Sequence, residues 1–499
     1  MSTEKFTSRL GQATAFTSTP FYEGDERREL EQALSRDLQL HKAHVVMLAE
    51  QRIILEEDAM AILGELLDLE RLGMSNLSLD PSLGLYLSTE RYLVDKLGPD
   101  VAGKMHTGRS RNDLSPANDR MYIRDRINEI LQTLIELKQA LLRRAEEHVD
   151  TVMPGYTHHS QQAQPITFAH YLLAGHDAFS RDVRRLEQAY DVVNLSPMGG
   201  AALAATGFAI NRERVAQLLG FDGLVENSLD ATGQFDYILQ ATAAIAISLS
   251  NLGRLVEGIY LWNTAEFGMV ELADEYCSIS SIMPQKKNPV ALEMIRGEAI
   301  LVANRLNGMM GILKAIAPGG GREWNYVERL FPRCADTAVG ALRTMTGIIS
   351  TLTVHREVMA RRAAEGFGTV TELADEIVRR TGLAFRQAHH IVGLTTRMAL
   401  NAGLKADEIT SGMVDTAAEE VIGEPLGLDA EVVRKALDPV ENVRIRCIVG
   451  GPAPVEVRRM IEERRDALAG DRDHLEQRKR RLAKAAERLQ AAVEAIVDS

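Results

Sequence analysis

The chain has 499 residues, room for about three domains and a large core. Its 57 basic and 70 acidic groups leave a net charge of −13, which argues against non-specific binding to nucleic acid or to an anionic membrane, although a local pocket can still hold an anion. Cys277, Cys334 and Cys447, far apart and odd in number, form neither a disulfide framework nor a zinc pattern, and uninterrupted apolar runs fall short of the ~18–20 residues of a membrane span.

In chain order, the opening MSTEKFTSRLGQ lacks the basic-then-apolar layout of a secretory signal, so the expected setting is a reducing cytoplasm. Residues 1–113 read as a mixed helix-and-loop domain, broken by the turn-rich LSLDPSLGLYLS and ending in HTGRSRND (106–113), a small-residue turn with two arginines, a serine and an asparagine. Residues 114–363 read as a second domain in which helical period dominates. Ile123, Ile127, Ile130, Leu134, Leu137 and Leu141 alternate steps of four and three, as do Ile245, Leu249, Leu252, Val256 and Ile259. The longest such seam is Leu292, Ile295, Ala299, Val302, Leu306, Met309 and Leu313. Helices of that length need long partners, so three such seams favour a bundle of extended, nearly parallel helices, open to continuation across subunits, over the ordinary core helices of a monomer.

Two further polar segments interrupt this domain: PGYTHHSQQAQP (154–165), with two histidines after a Pro-Gly turn, and SISSIMPQKKNP (278–289). Residues 364–499 read as a third domain of shorter amphipathic helices with turns such as GGPAP (450–454). The last thirty residues look like one charged helix. Its RKRR run (478–481) lies between Glu476 and Glu487 without interleaved aromatics, which fits a solvated helix face better than a nucleic-acid contact.

Asn288 followed by Pro289 reads as a helix start, a cap residue and then proline at the first helical position. SISSIMPQKK is then the loop feeding a helix over 289–317, about 40 Å long. Such a terminus presents unpaired N–H groups and about half a positive charge. Lys286 and Lys287 add ammonium groups, while Ser280 and Ser281 add hydroxyls, giving an anion site beside a candidate nucleophile or base. Glu293, one turn in, is placed to orient a histidine. Taken alone, each polar segment is equally an ordinary surface loop, and a lone histidine is more often structural than catalytic. What sets the three apart is that all abut long helices and together supply carboxylate clamps, an imidazole and an activatable hydroxyl.

SSIMPQKKNP is similar to the signature loop of the aspartase/fumarase superfamily, and HTGRSRND with MPGYTH…AQP resembles the argininosuccinate lyase branch. The resemblance extends through SPMGGAALAATGFAINRERVAQLLGF (196–221), NSLDA (227–231), EFGMVEL (266–272), TELADEIVRRTGLAFRQAHHIVG (371–393) and GGPAP, and so covers most of the chain. It implies an all-α fold of three domains, in a homotetramer whose long central helices form a shared bundle. The implied reaction is anti β-elimination: a proton leaves Cβ of a succinyl group, an amine leaves Cα, and fumarate results. The proton lies beside a carboxylate, so the intermediate is a doubly charged aci-carboxylate that needs fixed donors and positive charge already in place. The site supplies these itself, so no metal and no organic cofactor is expected.

Carried onto this sequence, the resemblance makes Ser280 the general base, its proton lost to an electropositive pocket beside Lys286 and the helix end. Lys286 and Asn288 would grip the carboxylate at the reacting carbon, with backbone N–H groups near Ser281 and Met283 completing the oxyanion site. Ser110, Arg111, Asn112 and Thr157 resemble the residues that hold the carboxylates of the succinyl part. His158, paired with Glu293, would assist at the leaving group. Because these loops meet only between subunits in such tetramers, a lone subunit is expected to be inactive.

Three departures from the branch's pattern stand out. Ile279 replaces the usual glycine before Ser280 and stiffens the loop. THHSQQAQP is one residue longer than usual: counting from PGYT selects His158, whereas counting back from Pro165 selects His159, and we take His158 because Thr157 precedes it. Finally, the amine side is rewritten. APGGGREWNYVERLFPRC (317–334) replaces a tyrosine-, acid- and lysine-rich stretch, Leu40-His41 replaces a Gly-Ser pair, and GQFD (233–236) replaces a more polar run. A pocket stripped of its hydrogen-bond partners rejects a polar group strongly, so a different amine is expected. Arg322 and Arg333 suggest further anionic groups on it. Among members of the branch, the chain most resembles those cleaving ethylenediamine-N,N'-disuccinate, with argininosuccinate as the alternative substrate. The fold also serves as a crystallin-type structural protein, but the full set Ser280, His158, Lys286, Asn288 and Glu293 argues for catalysis. HTGRSRND and the double lysine argue against adenylosuccinate or malate.

Overall fold

The computed structural model describes residues 26–74, 77, 84–317, 319, 321 and 323–499. Residues 78–83 of LSLDPSLGLYLS, the opening MSTEKFTSRLGQ and Arg322 therefore lie outside the described residues. The chain is all-α, as expected, with eighteen α-helices among the described residues. First come α1 (Glu26–Glu50), α2 (Glu56–Leu72), α3 (Gly84–Leu97) and the short α4 (Pro99–Ala102). The long helices follow: α5 (Arg111–Glu147) and α6 (Phe168–Val193), then, after the short α7 (Arg212–Leu219) and α8 (Ser228–Gly233), α9 (Asp236–Trp262), α10 (Val290–Lys314) and α11 (Trp324–Thr351). The remaining helices are α12 (Arg356–Glu365), α13 (Val370–Thr381), α14 (Phe385–Asn401), α15 (Ser411–Ile422), α16 (Ala430–Leu437), α17 (Pro439–Ile445) and α18 (Pro454–Val497).

The long helices pack on one another as their seams require. α5 lies against α6, α11 and α18, and α9 lies against α6, α10 and α11. Every member of the α5 and α9 seams is buried. In α10, Leu292, Ile295, Val302 and Met309 are buried, whereas Ala299, Leu306 and Leu313 are only partly covered. By length and composition α9 is apolar enough to cross a membrane. A strongly apolar helix is also what a bundle centre demands, and α9 buries half of that stretch against α6, α10 and α11.

The buried apolar residues form three main clusters. One fills the long-helix bundle, a second gathers α1–α4 with α7, and a third joins α13–α16. α18 is longer than the charged helix expected. It contributes Val457, Met460, Ile461, Leu468 and Leu475 to the bundle cluster, and Leu489 and Val493 to the second. Part of its basic run is structural: Arg478 is buried 3.7 Å over the Tyr190 ring and paired with Glu187.

The sequence showed no convincing strands, and those that form are short pairs at helix junctions. β1 (Val152–Tyr156) and β2 (Gln162–Thr167) are antiparallel, and β3 (Leu195–Ser196) and β4 (Gly223–Leu224) are parallel. After β5 (Val270–Glu271) comes the antiparallel pair β6 (Ser278–Ile279) and β7 (Lys287–Asn288), and β8 (Thr353–Val354) returns to pair with β5.

Leu249 sits at the centre of α9 and is completely buried. Leu249→Ala is expected to destabilise the bundle by about 2–5 kcal/mol, read as an earlier guanidinium midpoint for loss of helical signal.

Candidate active site

The HTGRSRND turn becomes the start of α5. Ser110 is its N-cap: the hydroxyl accepts the Asn112 N–H at 3.3 Å, and the Ser110 N–H donates to Asp113 Oδ1 at 3.0 Å. This reciprocal arrangement satisfies donors that the first helical turn leaves open. The second oxygen of Asp113 accepts N–H groups of Gly199 and Ala201, each at 3.0 Å, while Asn112 Nδ2 donates to the Ala202 carbonyl at 3.1 Å. Asp113 is fully buried, and burial raises its pKa while the backbone donors oppose the rise. It locks the helix start to the 199–202 turn and leaves Arg111 and Asn112 on the exposed face. Asp113 was not among the residues singled out in the sequence. The signal for it was present, since Ser110-x-x-Asp113 is a capping spacing.

Thr157 and His158 sit at the tip of the β1–β2 hairpin, both exposed, with Thr157 Oγ1 3.2 Å from His158 Nδ1. The register slips between Pro154 and Gly155. A side chain at Gly155 would come within 2.4 Å of the Gln164 carbonyl, so this close strand approach requires glycine. The extra residue in THHSQQAQP is taken up by a tight turn in which His159 (φ 60°) and Ser160 (φ 55°) both adopt left-handed backbone.

SISSIMPQKKN forms the β6–β7 hairpin, with Ser278 opposite Asn288 and Ile279 opposite Lys287. Asn288 is therefore a strand residue and not the helix cap. Its backbone is committed to the ladder, and α10 begins one residue after Pro289, with no side-chain cap. At the tip, Ser280 Oγ accepts N–H groups of Met283 at 3.0 Å and Ile282 at 3.4 Å. The Met283 N–H, expected as an oxyanion donor, is thus engaged within the loop. Ser281, Met283 and Lys286 are exposed, and Ser280 is half-buried. Lys287 is different: its ammonium lies 2.6 Å from Asp274 and 3.1 Å from Glu271 and is almost wholly covered. Of the two lysines, Lys286 is the exposed one, while Lys287 reaches the cleft only as part of its wall.

Lys286, Asn288 and Glu293 line a cleft of about 470 Å³ with Tyr260, Asn263 and His355, and the Lys287–Glu271 pair forms part of its wall. Glu293 accepts the Tyr260 hydroxyl at 3.1 Å, and this bond raises the phenol's pKa. It is not bonded to His158. Among the described residues of one chain, no hydrogen bond or ion pair joins Ser280, His158 and the Ser110–Asn112 turn.

The three segments expected to be rewritten on the amine side separate into two places. Leu40 and His41 are fully buried in the α1–α4 core, where His41 lies 5.7 Å from the Tyr86 ring and neither ring nitrogen has a partner. The other two meet: Phe235 stacks on Trp324 with centroids 5.1 Å apart and planes 7° from parallel. Close by, Glu328 lies beside Asp119, and burial raises both carboxyl pKa values. Arg333 is exposed on α11.

Fold and loops together define a lyase built on long helices with its polar groups at their ends. The family described as Lyase matches residues 33–303, and that described as Argininosuccinate lyase C-terminal matches residues 367–444. The argininosuccinate lyase of Methanosarcina barkeri is 41% identical over 442 residues, 88% of each chain, and that of Methanocaldococcus jannaschii is 43% identical over 427 residues, 85% of this chain and 87% of its own. A solved structure of an EDDS lyase variant with bound fumarate superposes with a TM-score of 0.87 at 38% identity, covering 94% of this chain and 92% of that one. The chain belongs to the argininosuccinate lyase branch of the aspartase/fumarase superfamily and is an enzyme of the carbon–nitrogen lyase class.

Behind HTGRSRND, His44 is buried with Nε2 2.9 Å from the Thr107 carbonyl, and burial beside Arg109 holds its pKa down to about 3. Below its ordinary pKa of about 6.5 the unfolded chain takes up a proton that the folded chain refuses, so this residue removes stability progressively as pH falls from about 6.5 towards 3, by about 1.4 kcal/mol per pH unit. His44→Gln is expected to flatten the acid limb of stability against pH by roughly one proton, measured by denaturant unfolding between about pH 4 and 6.

Proposed function

We propose that the protein catalyses a reversible anti β-elimination in which an N-substituted aspartate yields fumarate and an amine. Ser280 as an alkoxide removes the Cβ proton, the aci-carboxylate forms between Lys286, Asn288 and the mouth of α10, and the Cα–N bond then breaks as the amine leaves with a proton. Ser110, Arg111, Asn112 and Thr157 hold the remaining carboxylates, Ser281 contributes at the oxyanion, and His158 serves the leaving group with Glu293 of another copy. The observation that carries this reading is the pair of backbone N–H groups donating to Ser280 Oγ, because donors to the charged form favour it. A free serine would otherwise be a poor base.

For the amine, we infer an aminoalkyl-aspartate of the ethylenediamine-N,N'-disuccinate type. In support, two rewritten segments pack as one unit through Phe235 and Trp324, so the change on that side is concerted. Argininosuccinate is the second reading, favoured by the 41% and 43% identities to argininosuccinate lyases. We further infer a cytoplasmic homotetramer. Ile300, Leu301 and Met310 on α10 are 64%, 45% and 54% exposed, an apolar face that a second copy would cover.

Absorbance near 240 nm, recorded on mixing the protein with a panel of N-substituted aspartates, should rise with ethylenediamine-N,N'-disuccinate and stay flat with argininosuccinate. The opposite pattern selects the second reading. Ser280→Ala should keep the assembly and bind substrate while turnover falls by about 10²–10⁴, and near-normal turnover would remove the base assignment. Assayed side by side, His158→Asn should be the impaired variant and His159→Asn the active one; the reverse would move the imidazole role one residue along.

A further inference from the structure

The paired lysines of the hairpin do different jobs, and the covered one is built into the scaffold of the cleft wall. Lys287 follows the loop directly and pairs with Ile279 across the ladder. Its side chain, 9% exposed, places the ammonium 3.1 Å from Glu271 Oε1 on β5 and 2.6 Å from Asp274 Oδ1 in the turn before β6. His355 Nε2, next to β8, approaches the other Glu271 oxygen at 3.9 Å. On the opposite strand Ile279 packs against the bundle core. Both strands at the base of the hairpin are therefore fastened, one by charge and one by apolar contact. Seven residues, 280–286, lie beyond the fastening, held among themselves by Ser280 Oγ and by the Lys286 N–H to the Met283 carbonyl at 3.0 Å.

We propose that Lys287 is a positioning residue of this site: its ammonium, clasped by Glu271 and Asp274, fixes the base of the hairpin so that Ser280 is delivered to one place and movement is confined to residues 280–286. The proposal rests on Ser280 being the base. It gives Ile279 a purpose as well, because a residue that grips the core is preferable to a glycine where a loop is to be held at its root. Lys287 touches no substrate in this role. Its loss leaves two adjacent carboxylates without their common cation, which pushes Glu271 and Asp274 apart and loosens the root.

The test compares Lys287→Met, Lys287→Arg and Lys286→Met in the full assembly, by steady-state kinetics and by hydrogen exchange at the Ile282, Met283 and Lys286 amides. Lys287→Met should speed exchange at those amides and lower kcat by about 10²-fold with KM little changed, the cost of a misplaced catalytic group. Lys287→Arg should recover both, whereas Lys286→Met, which removes a cation from the aci-carboxylate, should lower kcat without changing exchange at the Ile282 and Met283 amides. Should Lys287→Met not fold, Glu271→Gln, which leaves the Asp274 pairing, should shift exchange and kcat the same way by less. Unchanged exchange and kcat in the folded variant would overturn the proposal, as would a rise in KM with kcat preserved, the behaviour of a substrate ligand. Exchange is read without turnover, so an active Ser280→Ala would refute the base assignment while leaving the fastening to be judged by exchange alone.

Discussion

Everything in this molecule depends on closing one apolar seam along several helices at once. Each turn of α5 and α9 sends a residue into the same interior, and α6 and α11 fill what remains. In interiors packed this densely each unpaired polar group is costly. Chemistry is therefore pushed to the helix ends, where backbone donors are open and loops can turn. The three polar segments lie there: one begins α5, one bridges α5 to α6, and one leads into α10. A bundle some tens of ångströms long also gives short loops a firm base, since a helix of 37 residues runs about 55 Å.

Within each segment, neighbouring residues divide the work between holding and presenting. Asp113 spends both carboxylate oxygens on backbone donors, so Arg111 and Asn112 face outward on a fixed turn. Lys287 spends its charge on two carboxylates in the cleft wall, which leaves Lys286 as the exposed ammonium. In the hairpin that carries His158, Gly155 lets the strands approach while His159 takes the strained backbone of the tip. A charged residue in such a motif is no guide to the charge available to a ligand. The two lysines would count as two cations in a sequence reading, but the local contribution of Lys287 is more than cancelled by Glu271 and Asp274.

This division marks the limit of what the sequence could tell. The seams were legible because helical period is a local property: all the residues named in α5 and α9 are buried, and the α10 seam is partly so. The family and its loops were legible because the motifs are long and ordered. Asn288 was misjudged as a cap because its pairing with Ser278 spans ten residues, and cap preference is weaker than a formed ladder. The partners of Lys287 lie 16 and 13 residues upstream, across a turn and a strand, and nothing in local composition announces them. His41, expected beside a substrate amine, is instead sealed in the α1–α4 core, where burial holds it neutral. Leu40-His41, read as a departure on the amine side, therefore serves packing, and the Phe235–Trp324 stack is what joins the other two segments so read.

The loops and α10 bear on one another. Among the long helices α10 has the fewest buried positions: Ala291, Leu292, Ile295, Val302 and Met309 of its 25 residues, the last three a heptad apart. One such stripe satisfies α9 and α11. The remaining face carries Ile300, Leu301 and Met310 into solvent, more apolar surface than a chain keeps bare at no cost. The same helix carries at its start the hairpin with Ser280, and in a single chain that serine has neither the imidazole nor the arginine-bearing turn bonded to it. In the proposed homotetramer, covering the bare face with a second copy would set another bundle, with its own α5 start and β1–β2 tip, alongside α10. Burial of the face and completion of the site would then be a single event, and a chain that could not assemble would lack both.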